Sequence, residues 1–216
     1  MNSADTARGR FITLEGGEGC GKSTQAARLG DALARRGIDV VLTRDPGGTA
    51  LAETLRRLIK DQLDEPPCGR CELMLFLAAR AQLVHDVIRP ALEAGKWVVC
   101  DRFSDSTVAY QGYGRGLPVD DIRRMNSFVC DGLVPDLTLF LSVPPETALA
   151  RRRLREASTK TQADRIELAG DGFHARLHEG FEALAKAHPE RIKTIDAGGG
   201  EEEVWNLVWK SVQPLI

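Results

Sequence analysis

The chemistry of this chain is concentrated between residues 16 and 23. Gly16-Gly17-Glu18-Gly19-Cys20-Gly21-Lys22-Ser23 matches the phosphate-cradling spacing G-x-x-x-x-G-K-[ST] at every specified position. Glycines let backbone N–H groups converge on phosphate oxygens, and the N-terminus of a following helix adds roughly half a positive charge. The octet and the adjoining Thr24 therefore predict a nucleotide phosphate site, with Lys22 reaching the β and γ phosphates and Ser23 ligating Mg2+. Glu18 is the odd member. A carboxylate inside a phosphate nest is repelled unless it turns outward to accept a hydrogen bond from something else.

Other residues could join this chemistry. Trp97-Val98-Val99-Cys100-Asp101 is an apolar strand ending in an acid, which places Asp101 beside the phosphate loop as a second Mg2+ holder. Arg102 follows at once, and its planar fork suits a second phosphate-bearing ligand, although a solvated surface arginine is the bland alternative. Thr43-Arg44-Asp45-Pro46-Gly47-Gly48-Thr49 combines a strand end, a Pro-Gly turn and a helix cap, so Arg44 should project from the same sheet edge. Phe76 and Arg80 lie four apart on a helix and share a face where a ring and a planar donor could hold a base. An apolar-face ring beside a snorkelling arginine is the commoner meaning of that spacing.

These residues need a scaffold. Strand signals recur at 11–15, 38–43, 96–101, 137–143 and 191–196, separated by helical patterns, and this alternation predicts an α/β fold with a five-stranded parallel sheet covered on both faces. Helices are expected over Thr24 to Arg36, Ala50 to Lys60, Cys71 to Ala94 with a kink or break at Pro90, and Val119 to Leu133. Residues 155–170 mix three basic and three acidic side chains with little apolar periodicity, the pattern of a polar flap. At 216 residues and 43% hydrophobic content the chain suits one domain with a sizeable core.

Charge and cysteine usage narrow the function. With 29 basic against 31 acidic residues there is no global positive field for nucleic acid or a membrane surface, so the expected ligand is small. No apolar run approaches the roughly 18 residues of a membrane span, and a cytoplasmic location is the default expectation. Five scattered cysteines fit reduced thiols better than a disulfide framework. Cys68-Gly69-Arg70-Cys71 is a CxxC, but a tetrahedral zinc site needs two further ligands that the sequence does not supply in a second pair.

Taken in order, the motifs resemble the thymidylate kinase family over nearly the whole chain from Phe11 to the C-terminal helix. They comprise the phosphate loop, Thr43 to Thr49, Phe76-Leu77-Ala78-Ala79-Arg80, Asp101-Arg102-Phe103, Ala109-Tyr110-Gln111-Gly112 with Gly114-Arg115-Gly116, Pro135-Asp136-Leu137-Thr138 and Asp164-Arg165-Ile166-Glu167. The resemblance implies a P-loop NTPase fold of the nucleoside-monophosphate-kinase kind, a homodimer through the helices at 71–94 and 119–133, and ATP-dependent phosphorylation of dTMP to dTDP in dTTP biosynthesis. It also implies roles. Glu18 would accept the sugar 3′-hydroxyl, Arg44 and Arg102 would hold the monophosphate, Phe76 would stack on thymine and Arg80 would bond its edge. Thr107 and Gln111 would finish the base pocket, while Lys22, Ser23 and Asp101 serve ATP and Mg2+. The phosphate loop lacks arginine, so a lid at about 153–167 would supply the catalytic cation from Arg153, Arg155 or Arg165. Four features depart from the family pattern: Asp45 stands where Glu is usual, Cys20 where Ala is typical and Tyr113 where Gly is common, and the flap between Arg155 and Asp164 is longer than usual. A kinase for another nucleoside monophosphate is the nearest alternative. A nucleotide switch is disfavoured because no guanine-selective Asn-Lys-x-Asp run is present.

Overall fold

The computed structural model describes residues 8–61, 64–144, 146–151, 154, 165, 166 and 168–216. Arg153, Arg155, Asp164 and Glu167 lie outside the described residues.

Five strands build one sheet: β1 (Phe11–Glu15), β2 (Val40–Arg44), β3 (Trp97–Asp101), β4 (Leu137–Ser142) and β5 (Ile192–Asp196). Their order is β2-β3-β1-β4-β5, and every pairing is parallel, as the alternating pattern predicts. The second strand starts two residues later than its signal, at Val40 rather than 38. β1, the central strand, is buried along its whole length, because helices cover both faces of the sheet there, whereas the edge strands β2 and β5 keep exposed residues.

The helices are α1 (Lys22–Ala34), α2 (Ala50–Lys60), α3 (Gly69–Leu83), α4 (Arg89–Glu93), α5 (Ser104–Thr107), α6 (Val119–Val129), α7 (146–151), α8 (Asp171–Ala187) and α9 (Glu201–Val212). On one face Ile12, Leu14, Val99 and Leu139 pack against Leu29 and Leu33 of α1 and Val204 and Val208 of α9. On the other, Phe140 joins Leu77 of α3 with Leu177 and Phe181 of α8, while Phe11, Val98 and Phe103 meet Leu83 and Ile88. Side chains alternate along a strand, so Thr13 and Glu15 share the face of Phe11.

Pro90 neither breaks the long helix nor bends it alone. Proline has no N–H to donate four residues back, and its ring crowds that carbonyl. The chain widens to π spacing over Val84–Ile88, where Arg89 N–H donates to Val84 O, and α4 then carries the proline in its first turn. Tyr113 lies over the backbone of α8 at Gly180, where an added Cβ would come within 2.9 Å of the ring. The Tyr113 ring is thus accommodated by a glycine on the facing helix.

Phe11 is fully buried and meets the edge of the Phe103 ring at a centroid distance of 4.9 Å. Phe11→Ala should therefore lower unfolding free energy by about 3–5 kcal/mol, read from the urea midpoint at unchanged m.

Candidate active site

The register of the sheet assembles the site. Leu14 pairs with Asp101 and Arg44 pairs with Asp101, so Leu14, Arg44 and Asp101 stand in one row at the carboxyl edge of three adjacent strands, with Glu15 one residue further along β1. The chain leaves β1 into the phosphate loop at this edge, beside the point where strand order reverses, the usual ligand crevice of such sheets. Gly16, Gly19 and Gly21 all have positive φ (140°, 73° and 89°), which only glycine takes without strain. Lys22 is buried and donates to Gly17 O at 2.6 Å and to Cys20 Sγ at 3.3 Å. Ser23 Oγ donates to Asp101 Oδ2 at 2.5 Å, and Asp101 Oδ1 is buried with no hydrogen-bond partner. A hydroxyl beside a carboxylate with an unmatched oxygen is a hard-oxygen donor set that fits Mg2+.

Arg102 turns the chain sharply after β3. Its φ of +71° is left-handed, a region that costs a side-chain-bearing residue on the order of 1–2 kcal/mol. Nη1 donates to Gly16 O at 2.7 Å and to Ser106 Oγ at 3.2 Å, and Nη2 reaches Glu18 Oε1 at 2.5 Å. Tyr110 OH donates to the same Glu18 oxygen at 3.3 Å, and its ring lies 5.0 Å from the Arg102 guanidinium. The acid in the phosphate nest therefore does turn outward, toward an arginine and a tyrosine.

What holds Arg102 in that turn is Glu15, a residue the motif reading passed over. Its carboxylate accepts from Phe103 N–H at 2.8 Å, Ser106 N–H at 3.2 Å and Ser106 Oγ at 2.5 Å. Burial, then the negative field of Asp105, push the Glu15 carboxyl up to about 7, against the lowering pull of Ser106, Arg102 and Phe103. The signal for it was available: β1 is an apolar strand closed by an acid, the pattern that picked out Asp101.

Across the crevice, Thr107 Oγ1 and Gln111 Oε1 are buried without partners, and Phe76 is half-buried. Buried polar atoms are nearly always paired, so two such atoms left open suit a polar ligand. Gln111 Nε2 donates to Glu72 Oε1 at 3.0 Å, and Glu72 also holds Arg115 through two bonds of 3.1 Å and Arg165 at 2.6 Å. Burial alone would raise the Glu72 carboxyl, but bonds from Arg115 and Gln111 outweigh it and lower it.

Arg165, one of the three candidate lid cations, donates to Ile59 O at the end of α2 at 3.1 Å and pairs with the buried Glu72 carboxylate in the first turn of α3. Arg80 is 1% exposed and committed through all three nitrogens, to Asp45 Oδ2 and Asn126 Oδ1 at 2.5 Å each and to Phe103 O at 3.2 Å. One N–H remains on each Nη. Asp45 thus orients Arg80 instead of reaching toward a phosphate. Arg44 bends over α2 to Glu53 Oε1 at 3.0 Å. Sequence reading also missed Arg56, which donates to Pro46 O at 2.8 Å, and whose pKa is lowered by burial and by the positive charges of Arg44 and Arg102. Three arginines thus share one field beside Asp101.

The sequence model of the family described as thymidylate kinase matches residues 14–208. The chain belongs to the thymidylate kinase family. Thymidylate kinase from Synechococcus sp. (strain JA-3-3Ab) is 50% identical over 206 residues, covering 95% of this chain and 96% of that protein. Thymidylate kinase from Gloeobacter violaceus is 52% identical over 206 residues, covering 95% of both. The crystal structure of thymidylate kinase from Ehrlichia chaffeensis superposes with a TM-score of 0.75 at 34% identity, covering 95% of this chain and 99% of that one. Membership in the thymidylate kinase family gives the two-sided crevice its two ligand classes, a phosphoryl donor along the phosphate loop and a nucleotide acceptor opposite.

Glu15 yields a pH prediction. Folding holds a proton that the unfolded chain releases near its ordinary value of 4.5, so this contribution is full below 4.5 and is lost as pH rises through about 7. A shift from 4.5 to about 7 corresponds to about 3 kcal/mol. Glu15→Gln cannot titrate, so the stability of wild type relative to this variant should fall by about that amount between pH 4.5 and 8 in urea titrations. A difference that stays flat across that range would overturn the assignment.

Proposed function

We infer that the protein transfers the γ-phosphoryl group of ATP to dTMP, giving ADP and dTDP. One observation carries the reading. The phosphate loop is bonded across to β3 through Ser23 and Asp101 on one side, and presents Glu18 to Arg102 and Tyr110 on the other, so a single loop borders two ligand sites. A nucleotide switch needs only the first site.

The acceptor phosphate is already anionic, so no strong base is needed and the rate comes from positioning and charge neutralisation. Lys22, Ser23 and the loop amides from Gly16 to Thr24 hold the donor phosphates. Mg2+ held by Ser23 and Asp101 would neutralise charge on those phosphates. Arg102, Arg44 and Arg56 form the cationic wall for the acceptor phosphate. Glu18 accepts the sugar hydroxyl with its remaining lone pairs, Phe76 stacks on the base, and Thr107, Gln111 and the spare N–H groups of Arg80 meet its polar edge. With Arg165 tied to Glu72, the lid cation falls to Arg153 or Arg155. Lid closure at about 153–167 of a single kinase domain would bring that charge in only when both substrates are bound and water is excluded.

The reading includes a cytoplasmic location, supported by the free state of all five cysteines and by the charged nucleotide substrates. Among the described residues, no helix is long and apolar enough to cross a membrane. It also includes a homodimer. Met74 on α3, Met125 and Phe128 on α6, and Val134 just beyond are exposed large apolar side chains, with Phe128 86% accessible. Apolar groups gathered on two neighbouring helices mark a surface that association would cover.

Lys22→Ala should lower turnover by ~10³-fold or more in a coupled ADP-release assay, as loss of phosphate-clamping groups does elsewhere. Run across dTMP, dUMP, dCMP, dGMP, thymidine and shikimate, the same assay should show wild type fastest with dTMP. Normal turnover by Lys22→Ala would sink the mechanism. Phe128→Asp should shift the protein from dimer to monomer in light scattering, with its circular dichroism unchanged; a dimer that survives the change would reject that face.

A further inference from the structure

The CxxC finds no use in the phosphoryl-transfer site, and the structure sets its two thiols apart from the other three. Cys20, Cys100 and Cys130 are buried, whereas Cys68 and Cys71 are exposed and unlinked. Cys68 is the N-cap of α3, with extended φ of −63° and ψ of 160°, and Cys71 is the third residue of that 15-residue helix. The turn between them is closed by Glu72 N–H donating to Cys68 O at 2.9 Å. By helix geometry the Cα atoms of residues three apart in such a turn lie about 5 Å from one another, within the roughly 4.4–6.8 Å that a disulfide spans. Arg70 lies exposed between the thiols, while Arg115 nearby is paired with Glu72 of the same turn. The Arg70 guanidinium favours an oxidant carrying carboxylates.

We propose that Cys68 and Cys71 form a reversible dithiol–disulfide pair, a modification site closed by exchange with an anionic low-molecular-weight disulfide such as glutathione disulfide. One thiolate attacks a sulfur of the small disulfide, giving a mixed disulfide and releasing one small thiolate. The second cysteine thiolate then attacks the mixed disulfide at the protein sulfur, forming the Cys68–Cys71 bond and releasing the other. Two electrons pass from the protein dithiol to the small disulfide, and the two protein protons leave with the two small thiols. The resulting cross-link ends one residue before Glu72, the carboxylate that holds Gln111, Arg115 and Arg165.

The full-length protein, equilibrated with excess glutathione disulfide, quenched with acid and alkylated after unfolding, tests this. Wild type should fall from five alkylatable thiols to three, with an intact mass two hydrogens lower, and should recover all five with dithiothreitol. Cys68→Ser and Cys71→Ser should each stop at one mixed disulfide with glutathione. Five thiols persisting in wild type, a wild-type product that stops at the mixed disulfide, or a cross-link between two chains would each overturn the proposal.

Discussion

A carboxylate cut off from water must be satisfied by protein, and Glu15 is satisfied by the segment that carries the acceptor-side arginine. Its three accepted bonds tie the end of β1 to Phe103 and Ser106, so the left-handed turn at Arg102 is held from both sides. Release that clamp and the turn has no reason to persist, since a non-glycine residue in this region relaxes elsewhere when it can. The phosphate loop begins at the next residue, and Gly16 O accepts from the same Arg102. Donor loop and acceptor cation are therefore built on one carboxylate.

A second regularity is that the cations around the crevice are held by acids. Arg102 has Glu18, Arg80 has Asp45, Arg44 has Glu53, and Arg115 and Arg165 share Glu72. Like charges gathered at one sheet edge would repel; interleaved carboxylates let them converge before any phosphate arrives. The exposed Arg44–Glu53 pair contributes little stability, whereas the buried pairs hold guanidinium planes in fixed directions. Orientation is what a transfer reaction without a general base requires. Behind these pairs, Arg191 binds both oxygens of Asp105 and reaches Thr138, extending the polar layer from the clamp to the far side of the sheet.

Much of this was legible in the residues. The octet, the acid closing β3 and the strand–helix alternation pointed to a glycine-rich turn after β1, an acid beside it and the parallel sheet. Less legible was what each side chain does once its spacing is known. Phe76 and Arg80 share a helix face as predicted, yet nothing in i to i+4 spacing says that Arg80 is anchored by Asp45, 35 residues earlier, and by Asn126, 46 residues later. Arg165 and Arg44 were read as free cations because their acids, Glu72 and Glu53, reach them only through the fold. Pro90 was read as a kink or break because sequence cannot show a helix widening to absorb a missing donor.

The amino-acid order by itself determined which backbone could exist here: glycines where φ must be positive, apolar runs where both faces are covered, and a lysine and a serine at the start of the helix that follows. Those are local rules, set by sterics and by period. The tertiary structure decided how charge is distributed over that backbone, including a carboxyl at Glu15 that favours its proton up to about 7 and an arginine at 165 aimed at Glu72. The reason is physical. Steric preference acts over a few residues, but a charge buried in a low-dielectric interior takes its partner from whatever the fold brings within about 4 Å, at any distance in sequence.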